Sequence, residues 1–254
     1  MTTARAMSFG SVADSYDRLR PDPAPQALEW LLPARRDLLV DLAAGTGKLT
    51  RAIAAAAPSA RVMAVEPDGR MAAVLRASAP DIQVLAGVGE AIPLPADCAD
   101  GLFISSAWHW MDPVRAVPEI ARVLHDGGRF GLIWTSRDRE VDWVRELDRL
   151  REPDRNPDHQ YGEAARRRNR EINLPDGHPF VNVEWASFTY AKTMTVDDLV
   201  ESIGTYSRVI VATDEERATA LGRVRATIEQ RFPGTTEVDV PIRSLCWRAD
   251  RAAR

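Results

Sequence analysis

The sequence predicts an α/β protein built on a doubly wound parallel sheet. Three observations carry that expectation. Between residues 37 and 136, short apolar runs alternate with helical segments. The runs are apolar almost throughout, rather than at every second position. The first of them ends in a glycine turn that opens directly into a helix. Alternating strand and helix order puts helices on both faces of a parallel sheet, and strands covered on both faces carry apolar side chains on both.

Taken in order, residues 8–20 form an amphipathic helix, with Phe9, Val12, Tyr16 and Leu19 spaced by three and four, stopped by Pro21, Pro23 and Pro25. A second helix covers 25–32, burying Ala27, Leu28, Leu31 and Leu32. Strands follow at 37–43, 61–67, 82–88, 99–107 and 128–136, the last after the turn Asp126-Gly127-Gly128. Helices lie between them at 49–57, 69–79 and 114–125, the third with Pro118 inside it and His125 at its end. Beyond Arg137 the regular alternation stops. A polar stretch at 138–178 holds one helix over 140–151 and the charged tract 163–171. Residues 182–192 alternate like a strand, 195–207 start on a capping Thr195 with acids behind it, 215–232 form a long amphipathic helix, and 238–249 a last strand.

Composition removes several functions. All but two of the 33 basic residues are arginine, yet 37 acids outweigh them and the net charge is −4. A nucleic-acid binder shows a net basic stripe, so no nucleic-acid partner is expected. Arg166, Arg167 and Arg168 read as a solvated face. No apolar run approaches the roughly 20 residues of a membrane span, and the N-terminus has no secretory core. Cys98 and Cys246 are too few for a disulfide set or a metal cluster. The expectation is a cytoplasmic protein with no metal and no membrane partner.

The most informative string is VDLAAGTGKLTRAI (40–53). Asp41 ends the strand, and Gly45 and Gly47 turn the chain into a helix. Ligands of open α/β sheets bind beyond the carboxyl ends of the strands. A phosphate-binding P-loop fails here because Leu42 and Leu49 stand where Gly and Ser or Thr are required. A dinucleotide fingerprint lacks its third glycine, since Thr50 takes that place. The S-adenosylmethionine loop, an acid followed by small residues and glycines, is met by Asp41, Ala43, Gly45, Thr46 and Gly47. Glu66 ends the second strand, where a carboxylate accepts both hydroxyls of a ribose; that feature suits NAD equally.

Four strings together resemble class I S-adenosylmethionine-dependent methyltransferases, in the broad small-molecule group often labelled type 11. They are FGSVADSYDRLRP (9–21), VDLAAGTGKLT (40–50), VMAVEPDGRM (62–71) and the stretch from Gly87 to Trp134. The resemblance implies a Rossmann-like seven-stranded sheet whose antiparallel last hairpin comes from 182–192 and 238–249, with a helical insertion between them. It implies one domain over 1–254: an N-terminal cap (1–36), a cofactor-binding core (37–136), and a substrate-side insert with the hairpin (137–254). The implied cofactor is S-adenosyl-L-methionine, held by Tyr16, Asp41, Ala43, Gly45, Thr46, Gly47, Glu66, Pro67, Gly89, Glu90 and Ser105. One departure stands out. Val88 occupies the position where the group often has an acid to take the adenine amino group.

The implied reaction is methyl transfer to a small-molecule acceptor. O-methylation is the first expectation, with N- and C-methylation open. SSAWHWMD (105–112) follows the fourth strand, where the resemblance would have it face the methyl group. His109 is read either as a base that deprotonates the acceptor or as a structural histidine of a packed turn. Arg20, Trp108, Trp110 and Tyr206 are the candidate substrate contacts, with at most one tryptophan lining the pocket; Arg208 is a weaker one. The rivals are an NAD(P)-dependent oxidoreductase and a non-catalytic adenosyl-ligand-binding protein. Oligomeric state is open.

Overall fold

A computed structural model describes residues 19–151, 172–204 and 213–253. Of the expected helix over 8–20, only the last two positions fall among these. Tyr16, His159, Tyr206, Arg208 and the tract of Arg166, Arg167 and Arg168 lie outside the described residues.

The helices are α1 (Pro25–Leu31), α2 (Lys48–Ala56), α3 (Gly69–Ser78), α4 (Pro113–Val123), α5 (Asp142–Arg151), α6 (Val196–Gly204) and α7 (Asp214–Arg231). The strands are β1 (Leu38–Leu42), β2 (Arg61–Val65), β3 (Gln83–Leu85), β4 (Ala99–Ser105), β5 (Leu124–Arg137), β6 (Phe180–Thr195) and β7 (Glu237–Arg251). Their order is β3-β2-β1-β4-β5-β7-β6, a mixed sheet with an antiparallel last hairpin. The first five strands are parallel: β1 pairs with β2 and β4, β2 with β3, and β4 with β5. The seven-stranded α/β expectation therefore holds.

Local chemistry explains where the helices begin. Asp68 and Asp112 cap α3 and α4, accepting the amide protons of Arg70 and Val114. Thr195 accepts from the Asp198 amide at the start of α6. At α7, Thr213 and Glu216 satisfy each other's amides in a reciprocal box. Pro118 sits inside α4 and does not end it.

Several boundaries differ from the sequence expectation. β3 is only three residues long, because the chain leaves the sheet before Val88 and closes a small turn with a bridge from Val88 to Ala91. β5 starts four residues early. Ala99 pairs with Leu124 and Gly101 with Arg129, so residues 125–128 bulge out between two pairs, with Gly127 at φ +76°. His125 is therefore part of a bulged strand start, not a helix end. The strands of the final hairpin extend past both predicted ends.

The chain divides into two compact units. One comprises Asp22–Thr135, Ile172–Phe188 and Ser244–Arg254. Its core runs through Val40, Leu42, Ile104, Ile120, Phe130 and Trp247, with Phe130 in edge contact with Trp108 and Trp247. The Phe103 ring fills space left by Gly101 and Gly131, where a Cβ would approach it to 2.8 and 2.7 Å. Among the described residues, the other unit comprises 19–21, 136–151, 189–204 and 213–243. Leu147, Leu199, Ile203, Val224 and Ile228 form its described core. Within it Asp148 accepts from both Arg137 and Arg139, and Arg137 also donates to Ser202.

Candidate active site

The sheet order reverses between β1 and β4, so the loops after these strands diverge and leave a crevice at their carboxyl ends. That is where open α/β sheets take ligands. Every residue of the glycine turn, the Glu66 loop and the 105–112 segment belongs to the same compact unit.

Asp41 is the fourth residue of β1, in register with Ala64 of β2 and Phe103 of β4. It is fully buried. Its Oδ2 accepts the hydroxyl proton of Thr50 at 2.6 Å, and its Oδ1 has no hydrogen-bond partner among the described residues. Burial lifts this carboxyl to about 7; the Thr50 hydroxyl opposes the shift and the negative charge of Glu66 adds to it.

The turn after β1 is held from within. The Ala44 amide donates to the Val65 carbonyl, and Gly47 to the Ala44 carbonyl. Ala43, Gly45 and Gly47 all have positive φ, at +57°, +58° and +84°. The two glycines differ in surroundings. A Cβ on Gly47 would lie 2.5 Å from Leu75 Cγ, whereas one on Gly45 would meet nothing within 4 Å. Gly47 makes room for Leu75 of α3 at the start of α2, and Gly45 keeps backbone open at the crevice. Thr46 is buried and its carbonyl accepts from Arg51.

Glu66 is 7% exposed and braces the turn from β2. Its Oε2 accepts the Gly45 amide and its Oε1 the Asp68 amide, both at 2.8 Å. A carboxylate has about four lone-pair sites, so acceptor capacity remains on both oxygens. Burial raises its pKa against the pull of these two donors. Pro67 beside it is exposed.

Gly89 and Glu90 join the third loop to the fourth. A Cβ on Gly89 would strike Met111 Sδ at 2.5 Å, and Glu90 Oε1 accepts the Asp112 amide at 2.8 Å. Both residues thus lock the 87–91 turn onto the start of α4. Val88, on the same turn, is 43% exposed.

Ser105 ends β4 and Ser106 follows at φ +55°, its amide donating to the Ile133 carbonyl. Residues Trp108–Trp110 form a single 3₁₀ turn. With three residues per turn, Trp108 and Trp110 point different ways. Trp108 is buried in the core against Phe130, while Trp110 is 36% exposed. His109 lies on the exposed side, its ring centroid 4.5 Å from that of Trp110. Partial desolvation holds its pKa below the ordinary histidine value. Arg20 is half-buried and belongs to the other unit.

The structure thus gathers Asp41, Ala43, Gly45, Thr46, Gly47 and Glu66 around one turn, and Gly89, Glu90 and Asp112 around a second. Trp108 is withdrawn into the core. Thr50 was legible only as the residue that spoils a dinucleotide fingerprint; its helical position facing Asp41 was the available signal. Met111 and Ser106 carried none. A shallow depression bounded by Arg35, Asp97, His125 and Asp126 lies by the amino-end residues of β4 and β5, away from the crevice.

A sheet of this order, with a left-handed glycine turn at its reversal point and an acid after the second strand, defines a class I methyltransferase architecture. Residues 40–132 match the methyltransferase domain family. An uncharacterized methyltransferase of Mycobacterium tuberculosis is 37% identical over 99% of this chain and 100% of its own. A malonyl-[acyl-carrier protein] O-methyltransferase of Methylococcus capsulatus is 33% identical over 48% of each chain. Among solved structures, a putative type II methyltransferase from Anaeromyxobacter dehalogenans superposes with a TM-score of 0.67 at 21% identity, covering 92% of this chain and 97% of that one. The chain belongs to the class I S-adenosylmethionine-dependent methyltransferase family.

Proposed function

We propose that this protein transfers the methyl group of S-adenosyl-L-methionine to an oxygen atom of a small-molecule acceptor. The observation that carries the reading is the turn at 43–47: left-handed, open at Gly45, and flanked by two buried carboxylates, one with an unpaired oxygen. An unpaired acceptor and an open backbone cradle suit a ligand that brings its own donors. When bound, S-adenosylmethionine supplies an activated methyl group on a sulfonium. Glu66 is suited to its ribose hydroxyls through the remaining lone pairs, Gly45 to close backbone approach, and Asp41 to its cationic end. Val88 offers an apolar surface, rather than a carboxylate, toward the adenine.

His109 is the candidate base. Its depressed pKa keeps the imidazole neutral at neutral pH, with a nitrogen able to take a proton from an acceptor hydroxyl. Trp110 beside it presents an aromatic face to the acceptor. The half-length likeness to an enzyme named for O-methylation of malonyl-[acyl-carrier protein] supports an oxygen acceptor.

Calorimetry with S-adenosylhomocysteine and with NAD tests the cofactor. Binding of the first alone is expected, and NAD binding without it would replace methyl transfer by redox chemistry. A labelled-methyl assay over small carboxylic acids, phenols and amines then identifies the acceptor. His109→Ala is expected to lower kcat by about 10²-fold or more with adenosylhomocysteine affinity unchanged. In the wild type, kcat/KM should fall only at a pH below the ordinary histidine range; wild-type turnover in the variant would make His109 structural.

A further inference from the structure

We propose that β6 is an interface strand: it pairs edge to edge with β6 of a second copy of this chain, antiparallel, about a two-fold axis at Phe188. This edge takes no part in the methyl-transfer reading, and pairing there stands or falls independently of it.

The two edges of the sheet are built differently. β3 closes one of them with only three residues, and the side chains of Arg61 and Arg76 donate to the Gln83 side chain and the Val84 carbonyl. Short edges carrying charge resist pairing with another chain. β6 closes the other edge with sixteen residues and, among the described residues, has β7 as its one strand neighbour. It holds no glycine, no proline and only two charged residues, Glu184 and Lys192. Every second residue from Val183 to Thr193 is exposed, and none of these is charged. Val183 and Trp185 are 52% and 47% exposed. Valine, threonine and tryptophan favour strands. A long, uncharged edge of this kind is a template for another strand.

The two charges indicate which strand fits. Glu184 and Lys192 lie four residues to either side of Phe188. An antiparallel copy in the register centred on Phe188 therefore sets each glutamate opposite the other chain's lysine, once on each side of the axis. Moving the register by one residue parts both pairs and sets unlike faces side by side. Glu184 also accepts from Arg248, and a carboxylate has lone pairs for both donors. On the exposed face the same register sets Trp185 against Ala191, a large side chain against a small one, and Ser187 against Thr189, hydroxyl against hydroxyl. The stretch is bounded at both ends. Asn182, at φ +53°, interrupts the extended backbone before Val183, and Met194 is buried after Thr193. At about 3.4 Å per residue the paired stretch is about 37 Å long. That is a small interface, so association is expected at micromolar concentration.

The experiment is sedimentation of the full chain from about 1 to about 200 μM, with amide exchange recorded at both ends of the range. A monomer–dimer equilibrium is expected, with protection over 183–193 rising with concentration. Two double variants test the register. Ser187→Glu with Thr189→Glu sets like charges opposite each other across the axis and should weaken the dimer about tenfold or more. Ser187→Lys with Thr189→Glu adds as many charges at the same positions but opposes unlike signs, and should keep the dimer within about threefold of wild type. Thermal unfolding at the lowest concentration separates misfolding from dissociation, and the wild-type exchange data carry the test if a variant does not fold. A wild type that stays monomeric overturns the inference. So does protection over 183–193 that ignores concentration, whether the edge stays open or this chain's own residues cover it. Equal dimer strength in the two double variants overturns it as well.

Discussion

Ala43 and Ser106 adopt left-handed backbone conformations at the carboxyl ends of β1 and β4, the two strands that flank the sheet's reversal point. A Cβ makes that conformation costly by about 1–2 kcal/mol, and such strain gathers at ligand sites. The neighbouring glycines separate two demands made of one turn. Gly47→Ala adds a clash with Leu75 to an unfavourable φ, so its loss is expected chiefly in stability, by more than about 2 kcal/mol in chemical denaturation. Gly45→Ala meets no protein atom. Its stability loss should stay near about 1 kcal/mol, while adenosylhomocysteine affinity falls because the new methyl group occupies the open cradle. Both glycines were readable as a turn from spacing alone. Which one answers to packing and which to ligand was not, because Leu75 lies 28 positions beyond Gly47 and meets it only after α2 and α3 have folded against the sheet.

Helix α4 shows how an element's start shapes the site. The Asp112 side chain caps the helix, and its own amide is held by Glu90, so one residue joins the 87–91 turn to the segment carrying His109. Asp112→Ala is expected to cost about 1 kcal/mol of stability, and Asp112→Asn only a few tenths of that. Thermal unfolding of the two variants checks this. The capping pattern is visible in the sequence, since Asp112 precedes Pro113 and an apolar periodicity. The Glu90 bond is not, because it spans separate loops. The two tryptophans make the same point. Their spacing allowed either to face a substrate, and only the 3₁₀ turn at 108–110 sends Trp108 to Phe130 and leaves Trp110 outside. At β5 a glycine turn was visible, but not that strand pairing resumes on both sides of it.

Stability of the unliganded protein should depend on pH through the buried acids. Asp41 is raised from 3.8 to about 7 in the fold, so within that window the folded chain binds the proton more tightly than the unfolded chain. Stability from this group is therefore lost as pH rises through the window. Glu66 is raised too and acts in the same direction; His109, lowered by burial, opposes both at pH just below the ordinary histidine value. Asp41→Asn is expected to melt higher than wild type at about pH 8, by a margin that shrinks as pH falls and closes only below about pH 4. A melting-temperature difference independent of pH would show that Asp41 does not titrate in this range. The pH balance at the turn rests on Asp41, Glu66 and the Thr50 hydroxyl, while Arg51 braces the turn through the Thr46 carbonyl.

By itself the sequence determined the α/β class, the strand and helix order, the turn at 41–47 and the acid at Glu66. All of these are local signals: apolar runs, helix periodicity, capping residues and glycines at short spacing. The tertiary structure decided which groups meet. It set Thr50 against Asp41, Leu75 against Gly47, Glu90 on Asp112, and Trp108 inside rather than outside. Those pairings depend on strand register and helix packing, which short spacing does not encode. They join residues brought together only when apolar burial closes the sheet between its helices.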